Sequence, residues 1–336
     1  MPEITFSEAK EFLEKITSKD KVAIIHHDDG DGFCSGILYS DWCENKGTQI
    51  GSFTYSINKS ELKNFDLEKF NKIIMCDLAP NFMAEELELI KTKQVFYTDH
   101  HPREIPLPEE ILELVTTDQG YIPSSRTAGE LTGIKPWLAL AGVITDSGYL
   151  YPENQDFIDE HLKQINMTLD EFKENISSVI TNFLVYFDKN LNEAFIILQR
   201  LKSVEEVKKL RKYSEPVEEE VQRFVEEYER KKEKLGDVNF YYFEPIFQVK
   251  APVCGIIGHQ DPDQIYIFSS PKNNRDYLGL SARNTSQRRN MVELLRAGIQ
   301  ELEDGSAGGH VPAAGGQILA KDLDKFKKNI RNFLKK

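Results

Sequence analysis

The stretch Ile25-His26-His27-Asp28-Asp29-Gly30-Asp31-Gly32 begins at the last residue of an apolar run, residues 21–25, that has the length of a buried strand. Side chains alternate along an extended chain, so His27, Asp29 and Asp31 could all point to one side. Three such side chains on one side are costly unless a cation neutralises them. The stretch therefore indicates a metal site at the end of a strand.

The same arrangement recurs further along the chain. Asp77 ends an apolar run of strand length, and so does the triplet Asp99-His100-His101. Asp146 lies in 138–147, a mostly small and apolar stretch that predicts a buried helix, where a carboxylate needs a partner. Four clusters in this setting suggest one metal site.

Each cluster also has an ordinary interpretation. Aspartate and glycine after a strand are typical of a solvated turn, and His26 with Asp28 offers a rival pairing to the one above. Asp77 could serve as a helix N-cap. Asp146 could be a hydrogen-bonded structural acid.

The pattern of apolar segments indicates an α/β fold. Strand-length runs alternate with helical stretches, which predicts a parallel sheet with helices on both faces. In such sheets ligands collect beyond the carboxyl ends of the strands, where every polar cluster falls. The predicted strands are 21–25, 50–57, 72–78 and 95–98, with a helix from Met83 to Lys91.

Further segments predict two domains joined by a long helix. Residues 156–202 have a helical pattern, and the charged segment that follows keeps an apolar helical stripe. A β-rich region begins at Val238 and ends in a glycine-rich segment and a basic helix. The predicted boundaries are a catalytic domain at 1–202, a helical linker at 203–236 and a smaller α/β domain at 237–336.

Composition narrows the class of protein. The net charge of the 336 residues is −13, but residues 238–336 carry 14 Lys and Arg against 10 Asp and Glu, which leaves −17 on the first 237. An acidic part that collects metals and a basic part that holds phosphates is one interpretation, and chance drift of surface charge is the other. The four scattered cysteines and the absence of a long apolar segment predict a cytoplasmic protein with no membrane span.

The candidate ligands are imidazoles and carboxylates without a thiolate, a set that suits Mn²⁺ or Mg²⁺ better than structural zinc. There are enough of them for two ions. Two metals about 3.5 to 4 Å apart neutralise the charge that grows on a phosphoryl group during in-line attack. The chemistry indicated is hydrolysis of a phosphoester or phosphoanhydride.

Four motifs in order, HDDGDG (27–32), MCDLAP (75–80), DHHP (99–102) and GVITDSG (142–148), resemble those of the DHH phosphoesterase superfamily. SARN (281–284) and GGHVPAAGG (308–316) resemble the DHHA1 substrate domain of RecJ-like nucleases, nanoRNases and cyclic-dinucleotide phosphodiesterases. The resemblance implies two Mn²⁺ ions, with Mg²⁺ or Co²⁺ as substitutes. The implied ligands are His27 and Asp29 for one ion, Asp31, His100 and Asp146 for the other, and Asp77 as the bridge.

The resemblance also implies roles in catalysis and substrate binding. His101 would face the scissile phosphate as a hydrogen-bond donor, and Asp99 would orient the histidines from behind. In the second domain, Arg283 would grip a phosphate that also meets backbone N–H groups of the glycine-rich motif. The implied substrate residues there are Arg283, Gly308, Gly309 and His310, and Ser124, Ser125 and Arg126 are further candidates in the first domain.

Three functions compete at this point. The favoured one is a Mn²⁺-dependent exonuclease that trims single-stranded DNA, RNA or short oligonucleotides to mononucleotides. The second is a small-molecule phosphoesterase acting on cyclic dinucleotides, dinucleotides or nucleoside 3′,5′-bisphosphates. The third is a replication scaffold, and a helicase or GINS-like partner is also compatible with an active nuclease. The long helix near 215–235 could pack on its own chain or, in a homodimer, on a second copy.

Overall fold

The computed structural model describes residues 4–55, 62–79, 84–101, 107–115, 120–272, 274–309 and 311–335. The chain divides into two compact units, Met1–Ser214 and Glu215–Lys336. This division falls inside one long helix, within the segment predicted as the linker. None of the helices in the described ranges combines the length and the apolarity that a bilayer span requires.

The first unit is built on five parallel strands in the order β2-β1-β3-β4-β5. β1, β3 and β4 coincide with predicted strands, and β5 was not predicted. Residues 56 and 57 of the predicted second strand and Met83 of the predicted helix lie outside the described residues. The strands are β1 (Lys21–His27), β2 (Gln49–Tyr55), β3 (Lys72–Cys76), β4 (Gln94–Asp99) and β5 (Ile111–Val115).

Helices cover both faces of this sheet, which confirms the predicted α/β class. Alternate strand residues enter two separate apolar cores: Val22 and Ile24 pack with the helices on one face, while Ala23 and Ile25 pack on the other. The helices are α1 (Phe6–Glu14), α2 (Gly30–Asn45), α3 (Ala84–Ile90), α4 (Ser124–Thr132), α5 (Pro136–Thr145), α6 (Gln155–Ile165), α7 (Leu169–Phe172), α8 (Ser178–Tyr186) and α9 (Leu191–Gln199).

The long helix α10 (Arg211–Lys231) carries the apolar stripe that the sequence predicts. Val217, Phe224 and Tyr228 are buried along it, and Pro216 lies in its second turn. The Tyr228 ring stacks on Phe268 of the second unit's sheet, with 5.4 Å between ring centroids. The stripe is therefore the face through which α10 packs within the second unit.

The second unit is a smaller α/β domain on a mixed six-stranded sheet in the order β10-β11-β9-β8-β7-β6. Only β7 and β8 pair in parallel. Its elements are β6 (Glu233–Leu235), β7 (Val238–Tyr242), α11 (Lys250–Gln260), β8 (Ile265–Pro271), β9 (Tyr277–Arg283), α12 (Met291–Ile299), β10 (Ser306–Gly309), β11 (Ala313–Leu319) and α13 (Leu323–Phe333).

Candidate metal centre

The turn between β1 and α2 presents three of the candidate ligands. His27 ends β1, Asp29 is the N-cap of α2, and Asp31 lies in the first turn of that helix. The backbone N–H of Gly32 donates a 2.9 Å hydrogen bond to Asp29 Oδ1. Glycine is required at position 32, because a Cβ there would lie 2.5 Å from the carbonyl oxygen of His27. This tight turn keeps all three side chains at the carboxyl edge of the sheet.

The neighbouring His26 belongs to the core. Its ring is fully buried and stacks on Phe195 with 4.9 Å between centroids. Its Nε2 lies 3.2 Å from Thr54 Oγ1, and its Nδ1 lies 2.9 Å from the carbonyl oxygen of His27. Burial lowers the pKa of His26 to about 4, so the ring is neutral at pH 7. The structure thus places His27, and not His26, beside the carboxylates.

Asp77 follows β3 and lies at the middle of the cluster. Its backbone has a φ of 60°, in the left-handed region that aspartate tolerates better than most residues, and its N–H donates to Thr98 O at 3.0 Å. The side chain is only 1% exposed, and neither carboxylate oxygen accepts a hydrogen bond from a described residue. A buried carboxylate without donors is costly unless it is protonated or meets a cation.

Two distances from Asp77 connect the two sides of the cluster. Its Oδ1 lies 3.3 Å from His100 Nε2, and its Oδ2 lies 3.8 Å from His27 Nδ1. His100 Nε2 is also 3.4 Å from Asp146 Oδ2, and His27 Nδ1 is 3.0 Å from Asp29 Oδ2. Asp77 therefore stands between a His27 side and a His100 side.

Three sets of residues in the described ranges could each hold a cation. Within a set, one ligand atom from each residue lies within 4.8 Å of the others. Two of these sets together contain every residue that the resemblance implies as a ligand, and Asp77 belongs to one of those two and also to the third. The sets are His27, Asp29 and Asp77; Asp31, His100 and Asp146; and Asp77, His100 and His101.

The N-terminus of α4 positions Asp31. The backbone N–H of Ser124 donates to Asp31 Oδ2 at 2.7 Å, and that of Ser125 donates to Oδ1 at 2.9 Å. The free N–H groups of a helix start favour a carboxylate at this position. Burial nevertheless raises the pKa of Asp31, and the charge of Asp29 adds to that effect. The two bonds hold the carboxylate in one orientation inside the cluster.

Asp146, the C-cap of α5, is positioned by Tyr121. The Tyr121 hydroxyl donates to Asp146 Oδ2 at 2.7 Å, and the Tyr121 ring meets the edge of the His100 ring with 4.8 Å between centroids. Burial, followed by the charge of Asp31, raises the pKa of Asp146 to about 8. Sequence reasoning did not single out Tyr121. The only available signal was an aromatic residue three positions before the loop serines.

The electrostatics of the cluster favour the binding of positive charge. Burial raises the pKa of Asp77 well above its ordinary value, and the carboxylates of Asp29 and Asp31 raise it further. Burial works against the charged form of His27, yet the bond to Asp29 and that carboxylate's charge raise its pKa to about 9. Bound protons here balance the charge of the carboxylates, a task that divalent cations would take over. The donor set and the donor-free Asp77 oxygens therefore fit two oxygen- and nitrogen-ligated cations.

His101 has a different environment from the other candidate residues. Its Nδ1 lies 2.8 Å from Asp99 Oδ1, and the Tyr97 hydroxyl donates to Asp99 Oδ2 at 3.1 Å. Burial opposes protonation of His101, but the bond to Asp99 outweighs it and raises the imidazole pKa. The His101 side chain is 38% exposed, far more than that of His100. Asp99 thus holds the His101 ring in one orientation and favours its protonated form, while part of the side chain remains accessible.

Ser125 and Arg126 have structural contacts in the first unit. Ser125 acts on Asp31 through its backbone N–H, and its side chain is fully buried. The Arg126 guanidinium donates to Glu130 Oε1 at 2.8 Å, to the carbonyl oxygen of Glu153 at 2.6 Å and to Asn154 Oδ1 at 3.1 Å. These bonds account for the Arg126 head group, and the substrate role expected for these two residues stays a prediction.

The candidate substrate residues of the second unit lie on β9 and β10. Arg283 ends β9, and its Nε is buried without a hydrogen-bond partner in the described part of the chain. Nearby, Lys250 Nζ donates to Ser281 Oγ at 2.8 Å, and burial lowers the Lys250 pKa to about 8. Gly308 and Gly309 form β10 with Ser306 and Ala307, while His310 lies outside the described residues.

Two family models match the chain. Residues 21–169 match the DHH family N-terminal domain, and residues 248–336 match the DHHA1 domain. Together they cover most of the chain and contain every motif quoted above. The chain belongs to the DHH/DHHA1 superfamily and is a metal-dependent enzyme that hydrolyses phosphoester bonds.

Solved structures show the same fold. The exonuclease RecJ bound to manganese aligns over 99% of this chain and 95% of its own, with 17% identity and a TM-score of 0.73. RecJ with Mn²⁺ from Thermus thermophilus aligns over 99% of this chain and 55% of its own, with 16% identity and a TM-score of 0.73. CDC45 from Entamoeba histolytica aligns over 99% and 100%, with 10% identity and a TM-score of 0.56. No curated protein sequence gives a significant match.

Proposed function

We propose that this chain is a two-metal, Mn²⁺-dependent phosphodiesterase that hydrolyses single-stranded nucleic acid or short oligonucleotides from an end and releases mononucleotides. The observation that carries the proposal is Asp77, whose two buried, donor-free oxygens face His100 on one side and His27 on the other. The fold that this chain shares with the manganese-bound RecJ structures also supports the proposal.

In this proposal the candidate ligands form two cation sites. His27 and Asp29 would hold one cation, Asp31, His100 and Asp146 would hold the other, and Asp77 would serve both. When bound, the cations neutralise charge on the phosphoryl oxygens and lower the pKa of the attacking water. Mg²⁺, which favours the oxygen donors of this set, and Co²⁺ are the expected substitutes.

Around the cations, the protein's own groups position the phosphate. Asp99 accepts from His101 Nδ1 and raises the pKa of the imidazole, which favours a ring whose other nitrogen carries a proton. That nitrogen would donate to a non-bridging oxygen of the scissile phosphate as its charge grows. In the second unit, Arg283 and the backbone N–H groups at Gly308 and Gly309 would bind a phosphate of the substrate.

The alternative substrates are cyclic dinucleotides, dinucleotides and nucleoside 3′,5′-bisphosphates. The net charge of −17 on residues 1–237 favours them, because long strands are bound through many cationic contacts. The proposal also includes a helicase or GINS-like partner, a homodimer and a cytoplasmic location. The CDC45 likeness concerns the fold alone.

A length series separates these substrates. End-labelled DNA and RNA from two to about twenty nucleotides would be digested with Mn²⁺ beside cyclic dinucleotides and bisphosphates, using the full chain, Asp77→Asn and the exposed control Asp156→Asn. We expect mononucleotide release that rises with length, is lost in Asp77→Asn and is kept in Asp156→Asn. Activity confined to dimers or bisphosphates would establish the alternative, and activity retained in Asp77→Asn would refute the metal mechanism.

A further inference from the structure

Exposed apolar side chains border the metal cluster on the Asp146 side. The Tyr121 ring, whose hydroxyl binds Asp146, carries the Tyr151 ring on its face, with 4.2 Å between centroids and 13° between ring planes. Tyr151 is 39% exposed, and the adjacent Leu150 is 67% exposed. We call Leu150 and Tyr151 the aromatic ledge. The ledge thus lies two ring contacts from the His100 imidazole.

The turn that carries the ledge is fixed on the protein side. Asn154 is fully buried, and its side-chain amide donates to Gly148 O at 3.0 Å and to Tyr121 O at 2.8 Å. The backbone N–H of Tyr121 also donates to the Glu153 carboxylate. These bonds join Tyr121 to the turn at 148–154. The turn is therefore fixed by hydrogen bonds, and it holds the Tyr151 ring parallel to the Tyr121 ring.

The position of the ledge is chemically informative. Adjacent exposed apolar side chains offer a surface that a ligand can cover, and Leu150 and Tyr151 stand near carboxylates that would hold cations. A ligand that fits both must join an anionic group to a flat apolar one. A nucleotide does so, because its phosphate binds the cations while its base stacks on an aromatic face.

We propose that Tyr151 and Leu150 form the stacking surface for the nucleobase next to the phosphodiester bond that is cleaved. The inference rests on the proposed function and narrows it, because substrates that lack a base there, such as inorganic polyphosphate, gain nothing from the ledge. Stacking of this kind tolerates any base, since every base has a π-face. The ledge thus selects nucleotides over other phosphoesters without selecting a sequence.

The kinetic test uses matched dinucleotides with Mn²⁺. One series carries both bases, and two further series replace one or the other nucleoside with an abasic tetrahydrofuran residue. The variants are Tyr151→Ala, Tyr151→Phe, Leu150→Ala and, as an exposure-matched control, Tyr186→Ala, whose residue is 40% exposed on α8. Leu150→Ala removes an exposed side chain and so reports on the ledge even if Tyr151→Ala disturbs folding.

We expect Tyr151→Ala to raise KM for the base-bearing dinucleotide roughly tenfold or more, with a smaller change in kcat. Leu150→Ala should act in the same direction, Tyr151→Phe should restore the wild-type preference, and Tyr186→Ala should change nothing. One abasic substrate should show no added loss in Tyr151→Ala. An equal loss on all three substrates would assign Tyr151 a purely structural role and overturn the proposal, as would the absence of any loss.

A binding measurement separates this inference from the proposed function. A dinucleotide containing 2-aminopurine would be titrated with Mn²⁺ into the His101→Gln chain, which should cleave slowly and keep its cations, with and without Tyr151→Ala, and its fluorescence followed. Quenching that disappears with Tyr151→Ala supports the ledge even if no dinucleotide is cleaved. Quenching that persists unchanged, or that is absent in both, overturns it whatever the enzyme hydrolyses.

Discussion

Asp77 Oδ1 lies 3.3 Å from His100 Nε2, although the two residues directly follow different strands and are 23 positions apart in the sequence. Parallel pairing of β3 with β4 brings the two strand ends to one edge of the sheet. The opposite oxygen of Asp77 faces His27, at the end of β1. The central carboxylate thus collects groups from three strands, and its substitution should affect all of them together.

The metal-free protein should lose stability between pH 6.5 and 8. Asp146 and His27 have pKa values raised to about 8 and about 9, and that of Asp77 is also raised, so the folded state holds protons that the unfolded chain has released. The lowered pKa values of His26 and His100 act in the opposite direction, but that effect fades above about pH 6.5, the ordinary pKa of histidine, as the unfolded imidazoles lose their protons.

Thermal unfolding in EDTA, measured across this range, should show a midpoint that falls as pH rises. With Mn²⁺ the trend should reverse, because the metal binds deprotonated ligands. A midpoint that rises with pH in EDTA would contradict the account of the cluster. Asp77→Asn removes one of the groups that hold a proton in the folded state and should flatten the EDTA profile.

His101→Gln should lower kcat about 100-fold or more while leaving Mn²⁺ affinity nearly unchanged. The reason is that the ring is held by Asp99 on the open side of the cluster, where it can donate to a substrate. Asp99→Asn should give a smaller loss of the same kind, and the two changes should not be additive, since each removes the same oriented donor. Additive losses would indicate that Asp99 acts independently of His101.

Gly32→Ala should both destabilise the protein and weaken metal binding. The new Cβ would lie 2.5 Å from the His27 carbonyl oxygen, so the turn must move and take His27 and Asp29 with it. We expect a loss of about 1–3 kcal/mol in the free energy of unfolding. Gly255→Ala is the control, because its Cβ would meet only Arg283, at 3.9 Å. Denaturant unfolding that is unchanged in Gly32→Ala would show that the turn is not tight.

Arg283→Ala should raise KM about tenfold and leave Mn²⁺ binding intact. Arg283 lies on β9 of the second unit, and its buried Nε lacks a partner in the described part of the chain. Lys250→Met, which removes the amine that binds Ser281 on the same strand, should also raise KM. Steady-state kinetics with parallel Mn²⁺ titrations would test this. Equal loss of substrate affinity and metal affinity would argue against separate roles for the two units.

Much of the fold could be predicted from the sequence because its strands are buried on both faces. Continuous apolar runs that end in Asp or His indicated β1, β3 and β4 and the sheet edge at which their polar residues meet. Strand β5 was missed, because Glu113 interrupts its short apolar run. The DHHA1 motifs indicated a second α/β domain, but its mixed strand order depends on long-range pairing that local patterns do not contain.

The site was predictable where spacing carries the information. His27, Asp29 and Asp31 alternate, but only the structure shows that His26 is buried against Phe195 and so distinguishes the two histidines. Arg126 was a candidate for substrate binding, yet its guanidinium pairs with Glu130 one turn further along α4 and with Asn154, and only the Asn154 contact depends on the tertiary structure. Tyr121 and Tyr151 escaped notice because no local pattern indicates that two aromatic rings 30 positions apart stack beside Asp146.

The most direct test of the two-metal centre is a Mn²⁺ titration of the purified full chain, followed by metal analysis and electron paramagnetic resonance. We expect two Mn²⁺ per chain with a spin-coupled signal, as ions about 3.5 to 4 Å apart should give. In Asp77→Asn the coupled signal should be absent, while Asp156→Asn should retain it. A single uncoupled ion, or none, in the wild-type protein would contradict a centre bridged by Asp77.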